Sequence, residues 1–170
     1  MGMQQQAYRN IVPFQVGEFT RGLAIDSTQS LIISSPTGVV NQIGYAYTYN
    51  SDGTVRCGGT GVFAGILAFP KTLASKGTGG DPLAPTFNVN NGVTAAIATM
   101  GAIGVLVQQS ASIGDWVVYN TTTGQLNSLA HATTTPPSGY ALIPHAMVDY
   151  NAAVSFGSGV YAAEIKLGRV

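Results

Sequence analysis

The chain has 170 residues, of which 45% are apolar and only 8% are charged, and its seven basic and seven acidic side chains give a formal net charge of zero. Soluble domains usually carry roughly 25% charged residues, so this surface is depleted in charge and suited to being covered by another protein. The balance argues against direct binding of DNA or RNA, because nucleic-acid affinity depends largely on an excess of lysine and arginine. No apolar run reaches the length of about 18 residues that a membrane-spanning segment needs, so no membrane partner is predicted.

Two segments lack any regular hydrophobic period. The first covers residues 1–29, where Pro13, Gly17 and Gly22 interrupt regular structure, and it predicts an extended N-terminal arm. Such an arm needs a protein surface to lie on, either its own domain or, as we favour, a neighbouring molecule, because free in water it would not offset its ordering entropy. The second segment, about 71–86, is rich in glycine and proline and predicts a long surface loop.

Residues 30–170 predict a single β domain. Its glycines and prolines separate short runs of Val, Ile, Tyr and Thr, which is the pattern of short strands joined by tight turns. One hairpin is predicted around Asp52 and Gly53, and a second around Gly124. The predicted strands lie at 31–34, 43–49, 54–57, 62–69, 103–108, 115–119, 125–129, 140–149 and 160–167. This series indicates an all-β, antiparallel sandwich or barrel.

Two of these strands have informative faces. Tyr45, Tyr47 and Tyr49 alternate along the first hairpin, so their rings share one face. That face either packs in the core, the commoner outcome for strands, or forms a platform for a partner or a sugar. In the last strand, Glu164 and Lys166 alternate with apolar residues, which predicts a solvent side.

Catalytic chemistry is sparse in this sequence. Only His131 and His145 could act as bases near neutral pH, and neither lies in a motif with a nucleophile. Cys57 is the only cysteine, so no intrachain disulfide can form. Residues 59–64 match the loose dinucleotide fingerprint, but a strand stopped by Pro70 follows where a helix is needed. We therefore predict a protein that is not an enzyme and has no cofactor and no metal site.

Seven sequence blocks follow the arm in a fixed order. They are IGYAYTYNSDGTV at 43–55, GVFAGILAFPK at 61–71, MGAIGVLV at 100–107, IGDWVVY at 113–119, TGQL at 123–126, IPHAMV at 143–148 and AAEIKL at 162–167. From about residue 11 to the end, this order resembles the bacteriophage structural cement, or head-decoration, family.

The resemblance implies a compact β domain of jelly-roll type that binds the outside of an assembled phage head and bridges neighbouring major capsid subunits. It also implies a place on the capsid exterior of the virion, after assembly in the host cytoplasm. A homodimer or homotrimer fits this role, because several copies at a symmetry axis contact the lattice together.

Candidate partner-binding residues are the arginines and phenylalanines of the arm and the single tryptophan, namely Arg9, Phe14, Phe19, Arg21 and Trp116. We expect residues 1–22 to be needed for docking and dispensable for folding. The alternative function is a carbohydrate-binding or adhesin-like β module, indicated by the tyrosine face and by Trp116.

Overall fold

The computed structural model describes residues 14–22, 26–69, 88–149, 154–155 and 159–168. The described segments contain ten β-strands and no helix, which confirms the all-β prediction. The strands in chain order are β1 Ser27–Ile32, β2 Ala46–Tyr49, β3 Val55–Cys57, β4 Phe63–Leu67, β5 Thr94–Val107, β6 Trp116–Asn120, β7 Leu126–Leu129, β8 Tyr140–Val148, β9 Val154–Ser155 and β10 Tyr161–Leu167.

The long strand β5 belongs to both halves of the molecule. Its first half pairs with β1 and β4, in a sheet that continues through β2 to β3. Its second half pairs with β10 and, at Val107, with β7. The order β5, β7, β6, β8, β10 returns to β5 and closes a five-stranded barrel.

The predicted antiparallel barrel is confirmed, with two local exceptions. The pairing of β5 with β7 is parallel, and so is an isolated bridge between Ile33 and Val55. The remaining strands lie outside the closed barrel. The sheet formed by β1 to β4 with the first half of β5 is called the second sheet below.

Each half of the molecule has its own hydrophobic cluster. Ile103, Val105 and Ile165 are among the side chains that fill the barrel. Tyr47 is 0% exposed and belongs to the hydrophobic cluster of the second sheet, and Tyr45 and Tyr49 pack against the same cluster. The tyrosine face is therefore part of the core and does not form an open platform for a sugar.

Most predicted strands appear with shifted ends. Both hairpins are confirmed, as the β2 and β3 pair and the β6 and β7 pair. β1 begins at Ser27, inside the predicted arm, and β5 begins at Thr94, well before the predicted start at 103. The loop predicted at 71–86 lies outside the described residues. The observed strand ends differ from the predicted ones because backbone pairing with distant segments sets where a strand starts. The local sequence pattern does not encode that pairing.

Candidate protein-docking surfaces

The described part of the arm lies on the chain's own barrel. The Gly17 amide donates to the Gly104 carbonyl at 2.7 Å, and the Thr20 amide donates to the Ala102 carbonyl at 2.9 Å. Ala102 and Gly104 lie in β5, after the residues that pair with β4 and before Val107, which pairs with β7. The arm thus supplies partners to backbone groups of β5, which argues against the expectation that residues 1–22 are dispensable for folding.

Two phenylalanines of the arm pack where β5 has glycine. The ring of Phe14 occupies the space that a Cβ on Gly104 would need, and the ring of Phe19 does the same at Gly101. Phe19 also packs against the barrel cluster. The glycines that interrupt the apolar pattern of β5 are therefore the places where the arm approaches most closely.

Arg21 brings a positive charge from the arm to β10. Its guanidinium lies 2.6 Å from Glu164 Oε1 and 3.4 Å from Asp149 Oδ2. Glu164 is only 5% exposed, so the predicted solvent side of the last strand is wrong at this position, while Lys166 is exposed as predicted. An unpaired buried carboxylate is costly, so Arg21 offsets the desolvation of Glu164.

The outer surface of the barrel at β6 and β8 carries exposed apolar side chains. Trp116 is paired with Met147 across the two strands, and Val118 is paired with Leu142. Met147 is 36% exposed, Leu142 is 39% exposed, and Ile113, in the turn before β6, is 66% exposed. We call Ile113, Trp116, Leu142 and Met147 the apolar face.

Trp116 is held in a defined orientation on this face. Its ring stacks on His131 with the ring centroids 5.1 Å apart and an angle of 18° between the planes. The indole Nε1 donates to the His131 carbonyl at 3.2 Å, and the His131 amide donates to Asp115 Oδ1 at 3.2 Å. Trp116 is half-buried. A fixed, partly exposed tryptophan is typical of the anchors that dominate protein interfaces.

The apolar face lies in a part of the chain that is almost free of charge. Between residues 82 and 148, Asp115 is the only aspartate, glutamate, lysine or arginine. Interface cores are depleted in charged residues and enriched in tryptophan and methionine. Sequence reasoning found Trp116 but missed Leu142 and Met147, although the long uncharged stretch was a signal that could have indicated them.

Three side chains were considered for catalysis, namely Cys57, His131 and His145. Burial raises the pKa of the Cys57 thiol to about 11, so the thiol stays protonated near neutral pH. His131 and His145 are exposed. Within the described segments, no three histidine, cysteine or acidic side chains are grouped to hold a metal ion. In the same segments, no helix is long and apolar enough to cross a membrane.

The four candidate partner-binding residues that the structure describes do not form one site. Phe14, Phe19 and Arg21 contact the chain's own barrel, and Trp116 lies on the apolar face. Arg9 lies outside the described residues.

Comparisons with known proteins match this architecture. A family model described as "Structural cement protein (E217 gp24/Pam3 gp6)" matches residues 3–167. A chain of the solved structure "The capsid of Myoviridae Phage XM1" aligns over 99% of both chains with a TM-score of 0.66 and 14% identity, which shows a shared fold. No curated protein matches the chain at a significant level. Because the family match runs from the arm through β10, this chain belongs to the phage structural cement protein family and is a capsid-associated structural protein of the virion.

Proposed function

We propose that the protein binds the outside of the phage head and cements neighbouring major capsid subunits, as a homo-oligomer and without catalysis. The observation that carries this proposal is the family match over residues 3–167. Assembly onto the head in the host cytoplasm belongs to the same proposal. Two exposed histidines and a buried, protonated Cys57 are consistent with a purely structural role.

Cementing requires no chemistry beyond selective binding. A protein that binds the assembled lattice and not the free subunits stabilises the lattice by its binding free energy, about 2.7 kcal/mol per site at a free concentration 100 times the Kd. Copies that are linked to one another bind more tightly than single copies, because the second contact becomes intramolecular.

In this proposal, residues 1–13, Arg9 among them, contact the major capsid subunit. The position of the arm supports the assignment, because Phe14, Phe19 and Arg21 attach residues 14–22 to the barrel. A contact segment that starts from a fixed point loses less entropy on binding than one on a free tether. A dimer or trimer presents two or three such segments to the lattice.

Binding to undecorated heads tests the proposal. Purified protein mixed with such heads is expected to co-sediment with saturation and to raise the temperature at which the heads release DNA. A chain lacking residues 1–13 is expected to bind more weakly while keeping the circular dichroism spectrum of the intact chain. The control is Val62→Ala, at a position that is 76% exposed and remote from the arm in sequence. Absence of saturable binding by the intact chain would contradict the proposal.

A further inference from the structure

One arginine of the second sheet lacks a carboxylate partner. Arg56 lies on β3 and is half-buried. Among the residues that the structure describes, its guanidinium forms no salt bridge, and its Nε is buried without a hydrogen-bond partner. A guanidinium stays charged and carries five N–H donors, so a partly buried one is normally paired. An unpaired arginine of this kind is typical of a site where another molecule supplies the anion.

Glycine at position 59 determines where the Arg56 side chain lies. Thr48 pairs with Arg56 across β2 and β3, so both side chains stand on the face opposite to Tyr47 and Cys57. Gly59 has φ 91°, and a Cβ there would lie 2.8 Å from Arg56 Nε. The backbone of Gly59 therefore packs where a larger residue would displace the guanidinium. The first glycine of the loose dinucleotide fingerprint thus makes room for an arginine.

Arg56 lines an open pocket beside the turn between β2 and β3. The pocket has a volume of about 530 Å³ and is also lined by Ser34, Asn50, Ser51, Asp52 and Thr60. No Val, Leu, Ile, Met or Phe is among the described residues that line it. Small-molecule sites occupy roughly 300–1,000 Å³ and are usually lined mainly by apolar side chains. This pocket therefore has the volume of such a site, but its walls suit a ligand covered with polar groups.

Asp52 restricts which anion the pocket can take. The Thr54 hydroxyl donates to Asp52 Oδ1 at 2.6 Å and the Thr54 amide donates to it at 3.0 Å. These hydrogen bonds lower the pKa of Asp52, so its carboxylate is ionised near neutral pH. A doubly charged phosphate would face one arginine and be repelled by Asp52, whereas a carboxylate carries a single charge and pairs with a guanidinium through two hydrogen bonds.

We infer that this pocket binds an acidic sugar, with the sugar carboxylate on Arg56 and the sugar hydroxyls on Asp52 and the polar side chains around it. Ser51 and Thr60 are exposed, so their hydroxyls are accessible to such a ligand. An acidic side chain of a protein would also pair with Arg56, but it has no hydroxyls to use the remaining polar walls. This binding is additional to cementing and does not rest on the proposed function.

NMR titration of the full chain with methyl glucuronide tests the inference. Saturable shifts are expected at the amides of Thr60 and Gly61, and methyl glucoside, which lacks the carboxylate, should bind about tenfold more weakly. Arg56→Gln should weaken glucuronide binding by about tenfold. Lys166→Gln removes a positive charge from an exposed position of β10, so it is the matched control and should bind like the intact chain. Absence of saturable shifts, or equal affinities for the two sugars, would overturn the inference.

Ser51→Asp is a second variant that leaves Arg56 in place. The new carboxylate lies at an exposed turn position, so the circular dichroism spectrum should stay that of the intact chain. Repulsion of the sugar carboxylate should weaken glucuronide binding severalfold. An unchanged glucuronide affinity in this variant would contradict the assignment. So would inorganic phosphate or N-acetylaspartate amide that binds the intact chain as tightly as the glucuronide, because the pocket would then recognise an anion and not a sugar.

The titration and the sedimentation with heads give separate results. A chain that saturates undecorated heads but does not bind the glucuronide contradicts only this inference. A chain that binds the glucuronide but not the heads contradicts only the proposed function.

Discussion

Two outer surfaces of the barrel differ in whether the chain itself covers them. On β5 and β10, Phe14 of the arm packs against Gly104, and Arg21 pairs with Glu164. The chain itself therefore covers this surface. On β6 and β8, Trp116 and Met147 remain partly exposed. The first surface buries a charged group with its partner, whereas the second has only the exposed Lys166 of β10 beside Met147.

The comparison distinguishes contacts that stabilise the fold from contacts available to another molecule. Intramolecular packing contributes at any protein concentration, while an uncovered apolar face contributes only when a partner is present. Changes under the arm should therefore alter the free energy of unfolding. Changes on the apolar face should leave the free energy of unfolding nearly unchanged.

The largest effect is expected from removing the described part of the arm. Deletion of residues 1–22 should lower the free energy of unfolding by about 3–5 kcal/mol, because Glu164 loses its buried partner and β5 loses hydrogen bonds. Urea unfolding followed by tryptophan fluorescence measures this change. Deletion of residues 1–13 is the control and should leave the midpoint close to that of the intact chain. Equal midpoints for both deletions and the intact chain would show that the arm does not support the barrel.

A smaller loss is expected from Arg21→Ala. Glu164 would then stay largely buried without its cation, at an expected cost of about 1–3 kcal/mol, reduced from the fully buried case because Arg21 is itself 36% exposed. The double variant Arg21→Ala with Glu164→Gln removes the charge and should recover much of the loss in urea unfolding. A double variant that is less stable than Arg21→Ala would contradict this account.

Gly104→Val should cost about 1–2 kcal/mol, since its side chain would need the space of the Phe14 ring. The effect should shrink when Phe14 is also changed to alanine, because the two positions compete for one space. A double-mutant cycle in urea measures this coupling. Strictly additive costs would show that Phe14 and residue 104 do not interact.

The smallest change is expected on the other surface. Met147 is 36% exposed, so Met147→Gln, which adds no charge opposite Lys166, should alter the free energy of unfolding by no more than about 0.5 kcal/mol. Thermal unfolding of dilute samples provides the measurement. A loss above about 2 kcal/mol would mean that Met147 belongs to the core, and the contrast between the two surfaces would fail.

The sequence by itself determined the all-β class, both hairpins and the family. Alternation of apolar residues, and turn residues such as Gly53 and Gly124, act within a few positions of the chain, so they can be read without the fold. The low charge was also sufficient to predict a surface that meets other proteins.

Only the tertiary structure decided how those elements meet. Gly101 and Gly104 lie inside β5, where the arm needs their missing side chains, and the sequence does not show that the arm lies there. Glu164 reads as a solvent residue, yet Arg21 covers it from the other end of the chain. Trp116 and Met147 become neighbours only through the pairing of β6 with β8. Each of these contacts joins residues far apart in sequence, and local preference carries no information about which distant segment will lie alongside.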